Sequence, residues 1–454
     1  MGGVEKMPDM YVFSSSVVAV SAAALLAPLT PLAAPPASAG ALPRAAEAER
    51  AAGRTQSLPL APLGSSSRGP GAGTMGLSKP DAGPFTMVGV VWKDPEAELD
   101  GRARVRARSA ETGRWSGWQD LDPHAADAPD PGSGAEPGGE AGAGAGGGAA
   151  ARRGGTAPLW VGESTGVEVR VVPARSRSAD AAGAAGAAEA VGAAGLPRGL
   201  TAELIDPGGA GAGTGKARAA GTAAAGELAA QTKAASEADA VRLNPALPAA
   251  VGPFVGPRPE IVTRKGWGAD ESRRAKGYRY TKTVNIAFVH HSATGNDYRC
   301  TEAPGLVRGI YRYHTQSLNW ADVGYNFLVD KCGRVYEGRA GGVTRAVMGA
   351  HTYGFNHNSM GIAVLGSYDS AVPSQAAVNA VSRLTAWKLG LFGKDPEGKQ
   401  TKVSGGGKYA RGTRVRMNVI SGHRDGFATA CPGVRLYDRL GATRASSASY
   451  QGRR

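Results

Sequence analysis

Cysteine is scarce in this chain, acidic residues are scarce in its last part, and long apolar runs are almost absent. The only cysteines are Cys300, Cys332 and Cys431. In an exported chain three cysteines imply one bridge and one leftover. Cys300, just ahead of a helical pattern, and Cys332, in a hairpin turn, are the natural pair, which leaves Cys431. The one extended apolar stretch is Tyr11 to Leu32, and no other segment approaches the ~18–20 residues needed to span a bilayer. Prolines interrupt it, and Pro35-Pro36-Ala37-Ser38-Ala39 forms an A-x-A-like cleavage site before Gly40. Residues 1–39 therefore read as a secretory signal peptide, not a membrane anchor. Glu5 and Asp9 stand against Lys6 ahead of the apolar stretch, where a positive charge is usual, so a start at Met7 or Met10 fits better. The expected product is secreted or held at a cell wall, without stable membrane insertion after signal removal. Nothing in the sequence bears on oligomeric state beyond a monomer as the default.

The shortage of acid is local. From Arg258 onward there are 30 Lys and Arg against 13 Asp and Glu, a balance of +17, whereas the rest of the chain stands at −3. Such a field attracts polyanions. Export favours a bacterial wall bearing carboxylates and phosphates, and the absence of any nucleic-acid-binding motif argues against DNA or RNA.

The 68 glycines, clustered with alanine, mark what cannot form a core. Residues 40–83 are Ala/Pro/Gly/Ser-rich and are expected to be disordered. Over 84–208 short alternating runs predict a small all-β, sandwich-like module: Phe85–Trp92, Ala103–Arg108, Trp115–Gln119, Leu159–Val161, Val167–Val172 and Leu200–Ile205. Ala/Gly tracts near 134–157 and 174–195 interrupt it as insertions. Trp115 and Trp118 are either a sugar-stacking surface or one core residue beside one exposed by chance. Residues 209–257 read as a flexible linker that leaves orientation open. The remainder, 258–454, alternates strands and helices and predicts an α/β domain, a mixed sheet covered by helices. Ser374 is a candidate N-cap for a helix carrying Val378, Val381, Leu384 and Leu391.

Chemistry concentrates at two places. Val284–Val289 reads as a buried strand ending in His290-His291, and Ser421 to Gly433 contains His423 and Cys431. Strand side chains alternate between faces, so only one of the doublet can reach a given ion. One His from each run plus a thiolate makes the three-ligand set of a catalytic zinc, whereas calcium and magnesium prefer oxygen. Spacing alone leaves the alternatives open: core or surface histidines, and a bridged Cys431.

With these residues in place, the segment from about Arg258 to Leu440 resembles the peptidoglycan recognition protein family. Within it the segment is similar to the zinc-dependent N-acetylmuramoyl-L-alanine amidases (type 2 amidases) in an actinobacterial secreted form. The runs that carry the resemblance are Arg264–Ala269, Val289–Thr294, Trp320–Phe327, Tyr336–Arg339, Gly349–His351, Gly361–Val364, Gly422–Asp425 and Cys431–Gly433. The resemblance implies His290, His423 and Cys431 as zinc ligands, and Tyr325 and Thr429 as catalytic groups beside the metal. It also implies that His351 and Arg339 line the substrate groove. Peptidoglycan is the implied partner, and the implied reaction is hydrolysis of the amide between N-acetylmuramic acid and L-Ala of the stem peptide. A non-catalytic peptidoglycan-binding module is the alternative; members of that kind lack the Cys ligand, which this chain retains. Ala340-Gly341-Gly342 after Arg339 do not map onto the stem-peptide selectivity of animal members, and the β module lies outside the resemblance.

Overall fold

The computed structural model describes residues 52–63, 73–123, 129, 151–174, 195–209, 226–243 and 254–453. The expected signal peptide lies outside them. Among the described residues no helix is long and apolar enough to cross a membrane.

The N-terminal module is all-β, as its alternation predicts. Its centre is the strand Phe85–Trp92, buried along its whole length between Thr201–Asp206 and the long strand Leu159–Pro173. Period-two patterning sets the faces elsewhere. In Gly101–Ser109, Ala103, Val105 and Ala107 point to the core while Arg102, Arg104 and Arg106 point out. Val167, Val169 and Val171 oppose them from the neighbouring strand. Trp115 and Trp118 are both half-buried, so neither is the expected core residue. Both lie over the outward arginines, with Arg106 5.2 Å from each ring and Arg170 4.6 Å from Trp118.

Two boundaries need correction. The segment expected to be disordered, 40–83, contributes the strand Arg54–Pro59, paired along its length with Thr201–Asp206, and the strand Met75–Lys79, paired with Leu159–Pro173. The segment expected to be a linker, 209–257, contributes Glu227–Leu228, which extends the C-terminal sheet, and the helix Lys233–Leu243. Both are held by partners distant in sequence, so neither shows a strong periodicity of its own.

The C-terminal domain is built on a seven-stranded mixed sheet. Its strand order is Glu227–Leu228, Ile261–Val262, Val335–Glu337, Phe327–Val329, Ser359–Val364, Ile286–His291 and Ile420–Gly422. Gln375–Gly390 and Leu440–Gln451 cover one face, packing Val381, Leu384 and Trp387 on Val289, Ile362 and Val364. The Ser374 hydroxyl does cap the first of these, accepting from Ala377 N–H at 3.1 Å. The helix Ala303–Arg312, extended by a wider turn at Tyr313–Ser317, covers the other face.

On that second face the two modules share one apolar core. Met87, Val91 and Ile205 of the β module pack with Leu306, Ile310 and Tyr313 of the helix side. Gly89 lets the Tyr313 ring approach, since a Cβ there would lie 2.6 Å from Cε2. The Tyr313 hydroxyl donates to Thr156 O at 2.8 Å. Glu203, buried, accepts from Arg153 at 3.0 Å and from the Ser317 hydroxyl at 3.2 Å. Burial raises its pKa, against the hydrogen bonds and charge that hold it down. The expectation of an unfixed orientation is therefore corrected: a shared core and the buried hydrogen bond from Ser317 to Glu203 set it.

Candidate metal centre

Alternation along Ile286–His291 sends Ile286, Phe288 and His290 to one face and Ala287, Val289 and His291 to the other. His290 meets His423 with ring centroids 4.3 Å apart, and its Nδ1 lies 3.9 Å from Cys431 Sγ. His291 turns away: its Nδ1 accepts from Tyr368 N–H at 3.3 Å and its Nε2 lies 3.8 Å from an Asp122 carboxylate oxygen of the β module. A disulfide joins Cys300 and Cys332, so Cys431 lies outside the bridge as a buried thiol.

The ligand atoms of His290, His423 and Cys431 all lie within 4.8 Å of one another, and all three residues are buried. Tetrahedral zinc with ordinary Zn–N and Zn–S lengths would place a nitrogen and a sulfur about 3.6 Å apart. The observed 3.9 Å between His290 Nδ1 and Cys431 Sγ is close to that. Two imidazoles and a thiol suit zinc as a donor set. Among the described residues this is the one cluster of three or more His, Cys, Asp or Glu able to hold a metal ion.

The surroundings orient these ligands. His290 Nε2 lies 3.5 Å from the Thr352 hydroxyl, which leaves Nδ1 for the cluster. His423 opens a short helix whose Asp425 carboxylate accepts from Gly422 N–H at 2.9 Å. Thr429 Oγ1 accepts from Cys431 N–H at 3.1 Å, so it holds the backbone of the ligand loop. Tyr325 is buried with its ring 5.4 Å from His290. Its loop is pinned by Asp322, which accepts from Arg264 at 3.1 Å, from Val323 N–H at 2.7 Å and from Ala340 N–H at 2.9 Å.

Of the two expected groove residues, His351 is placed differently from expectation. His351 is fully buried behind His290, rings edge-on at 5.4 Å, between Gly349 and Gly361. A Cβ on Gly361 would lie 2.3 Å from its ring, so the packing leaves no groove surface. His351 thus supports a ligand and does not line a groove. The Arg339 guanidinium donates to Val323 O at 2.9 Å and to Asp322 O and Met348 O at 3.4 Å.

Sequence reasoning missed His314 and Phe427. His314 is buried between Trp320, 4.4 Å away, and Tyr325, 5.8 Å away, and its Nδ1 accepts from Gly324 N–H. Its place beside Ile310 and Tyr313 on a helix pattern was the available signal. Phe427 stacks on His423 at 5.9 Å. A small cavity of about 30 Å³ lies between Tyr325, His314, Trp320 and Ser292 on one side and Thr156–Pro158 of the β module on the other.

Residues 280–434 match the family model for N-acetylmuramoyl-L-alanine amidase. Peptidoglycan-recognition protein SC2 of Drosophila simulans is 31% identical over 182 residues, covering 40% of this chain and 84% of that protein. The chain belongs to the peptidoglycan-recognition protein family. A second member, the N-acetylmuramoyl-L-alanine amidase of Homo sapiens, is 31% identical over 188 residues, covering 40% of this chain and 28% of its own. Among solved family structures, wild-type Drosophila PGRP-LB is 25% identical with a TM-score of 0.32, covering 40% of this chain and 92% of that one. Residues 43–193 match a different model, described as Rv3811 N-terminal galactose-binding domain-like. The family match thus falls on the C-terminal domain, and its activities concern peptidoglycan, by hydrolysis or by binding.

Proposed function

We propose that this protein hydrolyses the amide between the lactyl group of N-acetylmuramic acid and L-Ala of the peptidoglycan stem peptide, using zinc held by His290, His423 and Cys431. The observation that carries the reading is the buried cluster itself, with every ligand atom within 4.8 Å of the others. Zinc held there supplies Lewis-acid polarisation of the scissile carbonyl and acidifies water.

The chain's own residues supply the rest. Tyr325, at the small cavity beside His290, donates its hydroxyl to the carbonyl oxygen as negative charge develops on it. Thr429 spends its oxygen lone pair on Cys431 N–H and keeps its own proton for a substrate or thiolate acceptor. Thr352 fixes the ring of His290. Arg339, half-buried and held by the Val323 carbonyl, is the groove residue that meets the stem peptide. Water adds to the carbonyl carbon, the C–N bond breaks, and the L-Ala nitrogen leaves with a proton as a free amine. The Cys300–Cys332 bridge and the basic C-terminal charge suit work at a wall outside the reducing cytosol. A binding-only module would have no use for Cys431 held against two histidines.

The test is incubation of the full zinc-loaded chain with purified peptidoglycan, followed by mass analysis with and without a chelator. Released stem peptides carrying an L-Ala N-terminus, lost with chelator, are expected. Fragments cut at any other bond, or none from stoichiometrically loaded protein, would overturn the reading.

A further inference from the structure

The two modules enclose a cleft of about 490 Å³. Glu96, Glu98 and Arg152 of the β module line one wall, and Trp320, Tyr353 and Phe427 of the C-terminal domain line the other. Its volume lies within the range of ligand sites. Ring contacts connect it to the metal centre at two points. Phe427 stacks 5.9 Å from His423 and meets Tyr353 edge-on at 6.2 Å. Trp320 lies 4.4 Å from His314, whose ring is 5.8 Å from Tyr325. Leu318 and Trp320 also line the small cavity at Tyr325, so the two spaces adjoin.

The β-module wall is held in place. The Trp92 indole donates to Ala97 O at 2.9 Å, and Glu96 N–H donates to the Asp94 carboxylate at 2.9 Å, which fixes the turn that presents both glutamates. Arg153, next to Arg152, is anchored by buried Glu203. The shared core then sets this wall against the aromatic one. Aromatic rings facing carboxylates across a cleft suit a ligand with sugar rings and an ammonium group, as a glycan bearing a diamino-acid stem peptide has.

We infer that the β module forms the second wall of the substrate groove. Sugar rings pack on Trp320, Tyr353 and Phe427, while Glu96 and Glu98 accept the free ammonium of the stem-peptide diamino acid. This rests on the amidase reading and adds to it a group that selects substrate from outside the catalytic domain.

The test compares a disaccharide stem peptide with its diamino-acid amine free and the same molecule N-acetylated, on the full zinc-loaded chain. Glu96→Gln/Glu98→Gln should raise KM for the free amine about fivefold, the worth of exposed charge pairs, and leave KM for the acetylated substrate, kcat and zinc content unchanged. Glu98→Trp, which narrows the cleft, should raise KM for both substrates. Equal KM for wild type and double variant on the free amine, or an unaltered KM in Glu98→Trp, would overturn the inference. If the wild type releases no peptide, the amidase reading fails, and dissociation constants of the same two molecules for the same variants decide the groove separately.

Discussion

The two modules bury different chemistry. The β module's core is Val, Ala, Leu, Phe and Trp, and among its described residues Glu203 is the only buried charged side chain, at the junction with its neighbour. The C-terminal domain buries five of the chain's seven histidines, with Arg264, Arg312, Asp322, Asp330 and Lys388. Burying polar groups costs free energy unless each finds a partner. One module therefore reads as scaffold and wall, and the other holds a polar constellation that packing alone would not retain.

The largest effect expected breaks that constellation. Cys431→Ser should lose zinc and lower turnover by on the order of 10³-fold or more, because a Ser hydroxyl stays protonated near neutral pH. His290→Ala should do the same, while His291→Ala, on the opposite face, keeps its metal. Metal analysis on the three purified variants checks this, and equal zinc loss in both histidine variants would contradict the assignment. Next is Tyr325→Phe, which keeps the ring and deletes the hydroxyl. Turnover should fall about 10²–10³-fold at unchanged zinc content; full turnover would return Tyr325 to a packing role.

The β module offers a contrast of another kind. Met87→Ala, in the shared core, should cost about 2–4 kcal/mol. Calorimetry should then show both modules melting in one transition at lower temperature, and two separated transitions would contradict the common core. The smallest effect, taken per pH unit, concerns Lys388, whose Nζ donates to Val343 O and Arg345 O at 2.6 and 2.7 Å. Burial lowers its pKa to about 7. Between pH 7 and the unfolded value near 10.5 the unfolded chain binds the extra proton, so stability rises with pH by up to about 1.4 kcal/mol per unit. As pH falls toward 7 that contribution is lost. Melting temperatures of wild type and Lys388→Met across this window should diverge in slope, and parallel curves would contradict the shifted pKa.

Much of the site was legible because it depends on short-range geometry. Alternation over Ile286–His291 allowed only one of the doublet to reach an ion, the family resemblance picked His290, and the odd cysteine count isolated Cys431. His351 was less legible, since a motif names a residue without saying which way it packs. Gly349 and Gly361 leave His351 no exit, and nothing in a glycine's spacing announces that.

The sequence by itself determined the donor chemistry, the all-β and α/β halves and the Ser374 cap, because these follow from residue type and from periodicity within one strand or helix. Only tertiary structure decided that Arg54–Pro59 and Glu227–Leu228 become strands, since their hydrogen-bond partners lie 30 to 150 residues away. It also decided that the β module closes against the metal centre. Met87, Val91 and Ile205 show the same alternation whether they face their own sheet or a foreign helix, and that choice is made only when the two surfaces meet.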